Sequence, residues 1–333
     1  MNSYERYMGM VRGEKVDIVP RIPILMHFAA RYINAEFSDF ARDYQVLVQA
    51  NRQLVRDFGI DQLDIMSDPW REMTDFGGLI EYQSHTIPRC VKPPLEDAAD
   101  LNLLQKPDPM TSKRMSNAVN AIKAFKEFGF QQYSITGWVE GPAAEAADLR
   151  GVTNFMMDLI DRESFCRDLM NVCVDNAIEF AHAQIEHGAD TIGVGDAIVS
   201  QMSPKMYEKL VLDLEKRLFD AIGQMGGLVR LHICGDINRH LPLIAALNVD
   251  IIDCDWMVDI EQARKILGDK IVLTGNLDPV HAVMNSTPEK IRRGFREIYQ
   301  KVGNPYFVNA GCEIPGETQP ENLRALCEPI PYL

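Results

Sequence analysis

Three residues in this chain have the types and spacing to do chemistry together. His232 and Cys234 sit two apart in Leu231-His232-Ile233-Cys234-Gly235-Asp236, and Cys312 lies far downstream in Asn309-Ala310-Gly311-Cys312-Glu313-Ile314-Pro315. Side chains two apart on a strand point to one face. An imidazole and two thiolates are a donor set suited to Zn²⁺, which takes nitrogen and sulfur ligands tetrahedrally. Three protein ligands leave a fourth position for water, a carboxylate or a substrate thiol, which is the pattern of a catalytic metal site. The same residues also fit a plainer arrangement, with two buried core thiols and a hydrogen-bonded core histidine.

Bringing these residues together requires a scaffold. Short β-branched runs fall at 21–26, 62–66, 132–136, 191–195, 229–234, 251–255, 271–274 and 306–310, and helix-like stretches separate them. Ser203-Pro204 and Thr287-Pro288 place proline at the first helical position after a capping hydroxyl. The alternation predicts an α/β fold: a single (β/α)8 TIM barrel over residues 1–333. A doubly wound sheet would usually bring a glycine-rich phosphate loop after an early strand, and no such sequence occurs. The stretch 78–94 alternates and then reaches Pro93-Pro94, so a β-hairpin is expected in the second connection, inserted over the barrel mouth.

Barrel enzymes carry their active groups at the C-terminal ends of the strands. The residues expected there are His27 and Arg31, then Asp68, Glu140, Asp196, His232 with Cys234, Asp253-Cys254-Asp255, Asn276 with Asp278, and Cys312-Glu313. Asp196 is a candidate to fix the tautomer of His232, or else a helix cap. His27 and Arg31 are candidates to bind an anionic substrate tail. Asp68, Glu140 and Asn276 complete the candidate substrate contacts, although Glu140 and Asn276 equally suit shaping their loops. Glu313 should face away from Cys312, and Cys254 should face the helices as a core thiol.

Bulk properties exclude several classes. A net charge of −14 argues against a nucleic-acid or anionic-membrane partner. No apolar run approaches the ~18 residues needed to span a bilayer, and the N-terminus lacks a signal-peptide core, so a cytoplasmic location is expected. Seven cysteines, an odd number in a long chain, read as thiols rather than a disulfide framework.

The two motifs around the candidate ligands resemble the zinc motifs of corrinoid-dependent, cobamide:thiol methyltransferases, which belong to the uroporphyrinogen decarboxylase superfamily. The resemblance extends along nearly the whole chain, through Asp17-Ile18-Val19-Pro20-Arg21-Ile22-Pro23, Gly141-Pro142, Leu149-Arg150-Gly151, Asp196 with Ser203-Pro204-Lys205-Met206-Tyr207, and Gly275-Asn276-Leu277-Asp278-Pro279. It implies Zn²⁺ held by His232, Cys234 and Cys312. It also implies a small thiol activated as a thiolate, and a methylcorrinoid on a partner corrinoid protein. The decarboxylase branch needs no metal and grips a porphyrinogen with arginines and an aspartate. Its Met-Arg-Gln-Ala-Gly-Arg-Tyr segment reads Met26-His27-Phe28-Ala29-Ala30-Arg31-Tyr32 here, and its late histidine is replaced by Cys312. Asp68 and Arg31 would serve a tetrapyrrole decarboxylase. A third alternative moves a methyl group from a methoxy, methylamine or methylthiol compound onto a corrinoid protein.

Overall fold

The computed structural model describes residues 1–333. Nine strands form: β1 (Gln62–Asp64), β2 (Leu79–Glu81), β3 (Arg89–Lys92), β4 (Ser134–Glu140), β5 (Thr191–Gly195), β6 (Leu228–His232), β7 (Ile251–Cys254), β8 (Val272–Gly275) and β9 (Tyr306–Phe307). Seven of them make one curled parallel sheet in the order β1-β4-β5-β6-β7-β8-β9. The order follows the chain, each parallel strand pairing with the next through a connection that contains helix. Every residue of β4, β5, β7 and β8 is buried, because helices cover one face of a parallel sheet while the other packs on itself.

The helix boundaries follow the capping chemistry. Ser203 Oγ accepts the Met206 N–H at 3.2 Å and starts the helix Pro204–Leu210. Thr287 Oγ1 accepts the Lys290 N–H at 3.4 Å and starts Pro288–Val302. Gly59 ends Tyr44–Phe58 in the left-handed conformation with φ 65°, where a side chain would be strained.

The expected first strand at 21–26 is not a strand. Arg21 forms one isolated parallel bridge with Val308. The Val308 N–H donates to Pro20 O at 2.8 Å and the Ile22 N–H to Val308 O at 2.9 Å. On its other side, Asp61 N–H donates to Arg21 O at 2.9 Å. The segment therefore touches the chain beside both edges of the sheet. It fails to form a regular ladder because Pro20 and Pro23 have no N–H to give. Side chains capture two of the remaining donors: Arg21 N–H goes to Asp61 Oδ2 at 2.9 Å and Ile24 N–H to Asn309 Oδ1 at 3.2 Å. The last expected strand shortens to Tyr306–Phe307, with Ala310 bridging Leu277 alone. The third runs on to Glu140, so that residue ends a strand rather than following one.

Within the second connection, β2 and β3 pair antiparallel, with Leu79 opposite Lys92 and Glu81 opposite Arg89. No helix of the molecule is long and apolar enough to cross a membrane.

Candidate metal centre

The parallel register sets this site. His232 ends β6, level with Gly195 of β5 and Asp253 of β7. The strand expected at 229–234 stops at His232, so Cys234 lies just past its end rather than on it, before a turn at Gly235 with φ 98°. Cys312 arrives from the far side, after β9. His232 Nε2 lies 3.0 Å from Cys234 Sγ and 3.7 Å from Cys312 Sγ, and the two sulfurs are 3.3 Å apart. That sulfur separation is well beyond the ~2.05 Å of a disulfide. These three residues are the group whose ligand atoms all fall within 4.8 Å of one another.

The donor set fits zinc. Ligand bonds of ~2.0–2.3 Å in a tetrahedron place ligand atoms roughly 3.5–3.8 Å apart; the His232–Cys312 separation of 3.7 Å falls in that range, and the separations of 3.0 and 3.3 Å to Cys234 would open by a few tenths of an ångström around the ion. The orientation of the imidazole fits as well. Its Nδ1 is 2.9 Å from Asp253 Oδ2, so a ring that gave up its Nε2 proton to a metal would keep the other proton on Nδ1 and turn the Nε2 lone pair toward the thiols. Asp253 is itself held by the fully buried Arg230, whose Nε donates at 3.0 Å and Nη2 at 3.0 Å. The Trp138 ring stands edge-on to His232, with centroids 5.9 Å apart, and walls the inner side.

The electrostatics favour one deprotonated sulfur. A hydrogen bond from Cys312 lowers Cys234 to about 4; burial opposes this and the His232 charge assists it. Cys312 moves up, through the same hydrogen bond and burial. Burial works to lower the His232 pKa, but the charge on Cys234 and the bond to Asp253 carry it well above the ordinary histidine value. The Cys234 thiolate is thus balanced by the His232 proton, the charge that a bound cation would replace.

The other expected site residues fall into two groups. His27 and Arg31 line a cleft of about 870 Å³ together with Glu36, Phe37, Glu313 and Glu317. Ser84, His85 and Thr86, from the β2–β3 turn, line it too. His27 Nδ1 is 2.8 Å from Glu313 Oε1, and Arg31 Nη1 donates to Glu317 Oε1 at 3.4 Å, so both are matched with carboxylates. Glu313 faces this cleft and not the thiols.

Asp68, Glu140, Asp196 and Asn276 are engaged with the protein. Asp68 accepts a bidentate pair from Arg114, at 2.8 and 2.6 Å, inside the structure. Glu140 accepts from Trp138 Nε1 at 3.1 Å; burial and the neighbouring Glu72 and Asp148 push its carboxyl well up. Asp196 does not touch His232 with its side chain. It accepts the N–H groups of Ala143, at 3.2 Å, and Ala144, at 2.7 Å, at the start of the helix Pro142–Arg150, and burial raises it to about 7. Asn276 Nδ2 donates to Asp255 O at 3.3 Å and Val258 O at 2.7 Å.

The residues that sequence reasoning missed are Asp253 and Arg230. Asp253 was visible as a strand-end carboxylate, and its level with His232 would have followed from aligning strand ends. Arg230, two residues before His232, shares its strand face, but nothing in its sequence context marks it as that aspartate's counter-ion. Cys254 is a fully buried thiol, raised to about 12 by burial.

A curated methylcobamide:CoM methyltransferase MtbA of Methanosarcina mazei is 29% identical, over 97% of this chain and 96% of its own length. A uroporphyrinogen decarboxylase of Pseudoalteromonas translucida is 24% identical, over 96% of this chain and 94% of its own. The solved structure described as a methyltransferase from Methanosarcina mazei superposes with a TM-score of 0.87 at 21% identity, covering 98% of this chain and 97% of that one, which shows a shared fold. The uroporphyrinogen decarboxylase (URO-D) family model matches residues 2–330, and the chain belongs to that family of enzymes.

Proposed function

We propose that this chain is a zinc-dependent corrinoid methyltransferase of the cytoplasm, which moves a methyl group between a methylcorrinoid on a partner protein and a small thiol. The observation that carries this reading is the convergence of one imidazole and two thiols, with Cys234 and Cys312 still partly open to solvent. The scaffold is read as a single-domain (β/α)8 barrel. In it the segment at 20–24 serves as the irregular eighth stave between β9 and β1, and the β2–β3 pair overhangs the mouth.

His232, Cys234 and Cys312 would hold the zinc, and Asp253 with Arg230 would orient His232. Bound there, zinc supplies a Lewis acid that keeps a substrate thiol deprotonated near neutral pH. The cleft at His27 and Arg31 admits the thiol, and these two residues take its polar end by exchanging their present carboxylate partners. In the transfer a sulfur–carbon bond forms and the cobalt–carbon bond breaks. Its electron pair stays on cobalt, which passes from Co(III) to Co(I), and the thiol proton leaves to solvent. Asp68, Glu140, Asp196 and Asn276 act as positioning residues. The decarboxylase reading is weaker because Asp68 is neutralised by Arg114.

X-ray absorption at the zinc edge tests the reading. Adding a substrate thiol should raise the sulfur ligands of zinc by about one. An unchanged zinc environment at saturating concentrations of several thiols would count against a thiol-activating role.

A further inference from the structure

A turn wedged between the two thiol-bearing loops displays apolar surface beside the metal centre. Val258 N–H donates to Asp255 O at 2.9 Å, closing four residues with Trp256 and Met257 in the middle. Both of these side chains are 47% exposed, whereas Asp255 and Val258 are buried. A single exposed hydrophobic residue means little. What distinguishes this pair is the way its backbone is fastened. Asp255 Oδ1 accepts the Met257 N–H at 3.0 Å, and its Oδ2 accepts the Gly235 N–H at 3.0 Å. Asn276 Nδ2 donates to Asp255 O and to Val258 O. Asn238 Nδ2 donates to Met257 O at 3.0 Å. Gly311 is pressed onto the turn so closely that a Cβ there would lie 2.4 Å from Trp256 N. Gly235 follows Cys234 and Gly311 precedes Cys312, so the turn adjoins both sulfur ligands.

We infer that Trp256 and Met257 form the seat for the corrin ring of the methyl donor. The inference rests on the proposed methyl transfer and deepens it. The methyl carbon stands on the axis of a broad, flat macrocycle whose rim carries methyl groups and amide-ended side chains. A sulfur nucleophile in the barrel mouth reaches that carbon only when the ring lies across the rim. The periphery of the ring then meets whatever flanks the sulfur ligands, and here that is an indole and a thioether. Both offer polarizable apolar surface suited to a flat partner. Because the turn is already fixed by side-chain hydrogen bonds, little ordering entropy is lost when it is covered. Asn276 thus acts as a positioning residue for the donor seat.

The test uses aquacobalamin, which carries no transferable methyl group, with the zinc-loaded protein. Its dissociation constant is read by equilibrium dialysis. Trp256→Ala with Met257→Ala should weaken binding at least about tenfold, as expected for an aromatic anchor, while zinc content and thermal midpoint stay unchanged. Trp256→Phe should bind nearly as wild type but lose much of the fluorescence quenching that the bound corrin causes. Met157→Ala, on the exposed helix Val152–Asp161, serves as control and should change neither. Wild-type affinity in the double variant overturns the inference. If that variant also demethylates methylcobalamin with a wild-type KM, the methyl-transfer reading survives and only the seat is lost. A wild-type protein that neither binds aquacobalamin nor demethylates methylcobalamin overturns both.

Discussion

Asp253 holds the ring of His232 in one tautomer while compensating Arg230 in a space with no access to water. Removing its charge separates these two duties from the fold. Asp253→Asn should weaken zinc binding by about 10–100-fold, read by competition with a chromophoric chelator. It should also lower the thermal midpoint, because a buried guanidinium loses its counter-ion. Unchanged metal affinity would mean that His232 needs no partner. His27 offers the contrast. It shares its cleft with Glu313 and stacks on Phe37 with ring centroids 4.1 Å apart, away from the sulfurs. His27→Ala should therefore leave zinc content at wild type and act on the KM for the thiol, whereas His232→Ala should release the metal. Equal zinc loss in the two variants would remove the distinction drawn here between ligand and substrate contact.

At the scale of elements, aspartates at the strand feet recur as fasteners. Ile135 N–H donates to Asp190 Oδ2 at 2.8 Å, and Val229 N–H to Asp250 Oδ2 at 2.8 Å, each joining the start of one strand to its neighbour. Burial raises Asp190 to about 6, with the bond from Ile135 opposing, and raises Asp250 as well. A carboxyl whose folded pKa lies above its unfolded value stabilises most while protonated. The contribution of Asp190 is therefore full below about pH 4 and lost as pH rises to about 6. Asp190→Asn keeps an acceptor for Ile135. It should flatten that part of the pH–stability curve and add about 1–3 kcal/mol at pH 8, measured by urea unfolding. A variant with the wild-type slope would place the proton elsewhere. The sequence showed most of the strands because their β-branched runs and proline-capped helices are local signals. It misplaced the first strand because the fate of the Arg21 and Ile24 donors depends on Asp61 and Asn309, both distant in the chain. The His-Cys-Cys group was legible because strand ends of one hand meet at one rim. Of the two roles open to Asp196, partner of His232 or helix cap, the second holds: strand position put it at the rim, and the free N–H groups of the helix Pro142–Arg150 claim it. The apolar seat was not legible, since exposure of Trp256 depends on how its turn is tied.

Across the whole molecule, the irregular segment beside the sheet edges is locked by charge. Asp61 is fully buried and accepts from Arg6 Nη1 at 2.6 Å and Arg21 Nε at 3.0 Å. Asp61→Ala should cost about 3–5 kcal/mol in global stability, because two arginines lose a buried counter-charge, and chemical denaturation would show it. A loss within about 0.5 kcal/mol, typical of a surface change, would contradict a closing role for this segment. The metal and the reaction are read together by zinc analysis on the same samples used to follow methylcobalamin by absorbance, with and without a panel of small thiols. The wild-type protein should hold about one zinc per chain and demethylate the corrinoid only when thiol is present. Cys312→Ala should lose both properties together. A protein that retains full thiol-dependent demethylation after losing its zinc, or that holds zinc on these ligands yet leaves methylcobalamin intact with every thiol, would contradict the account.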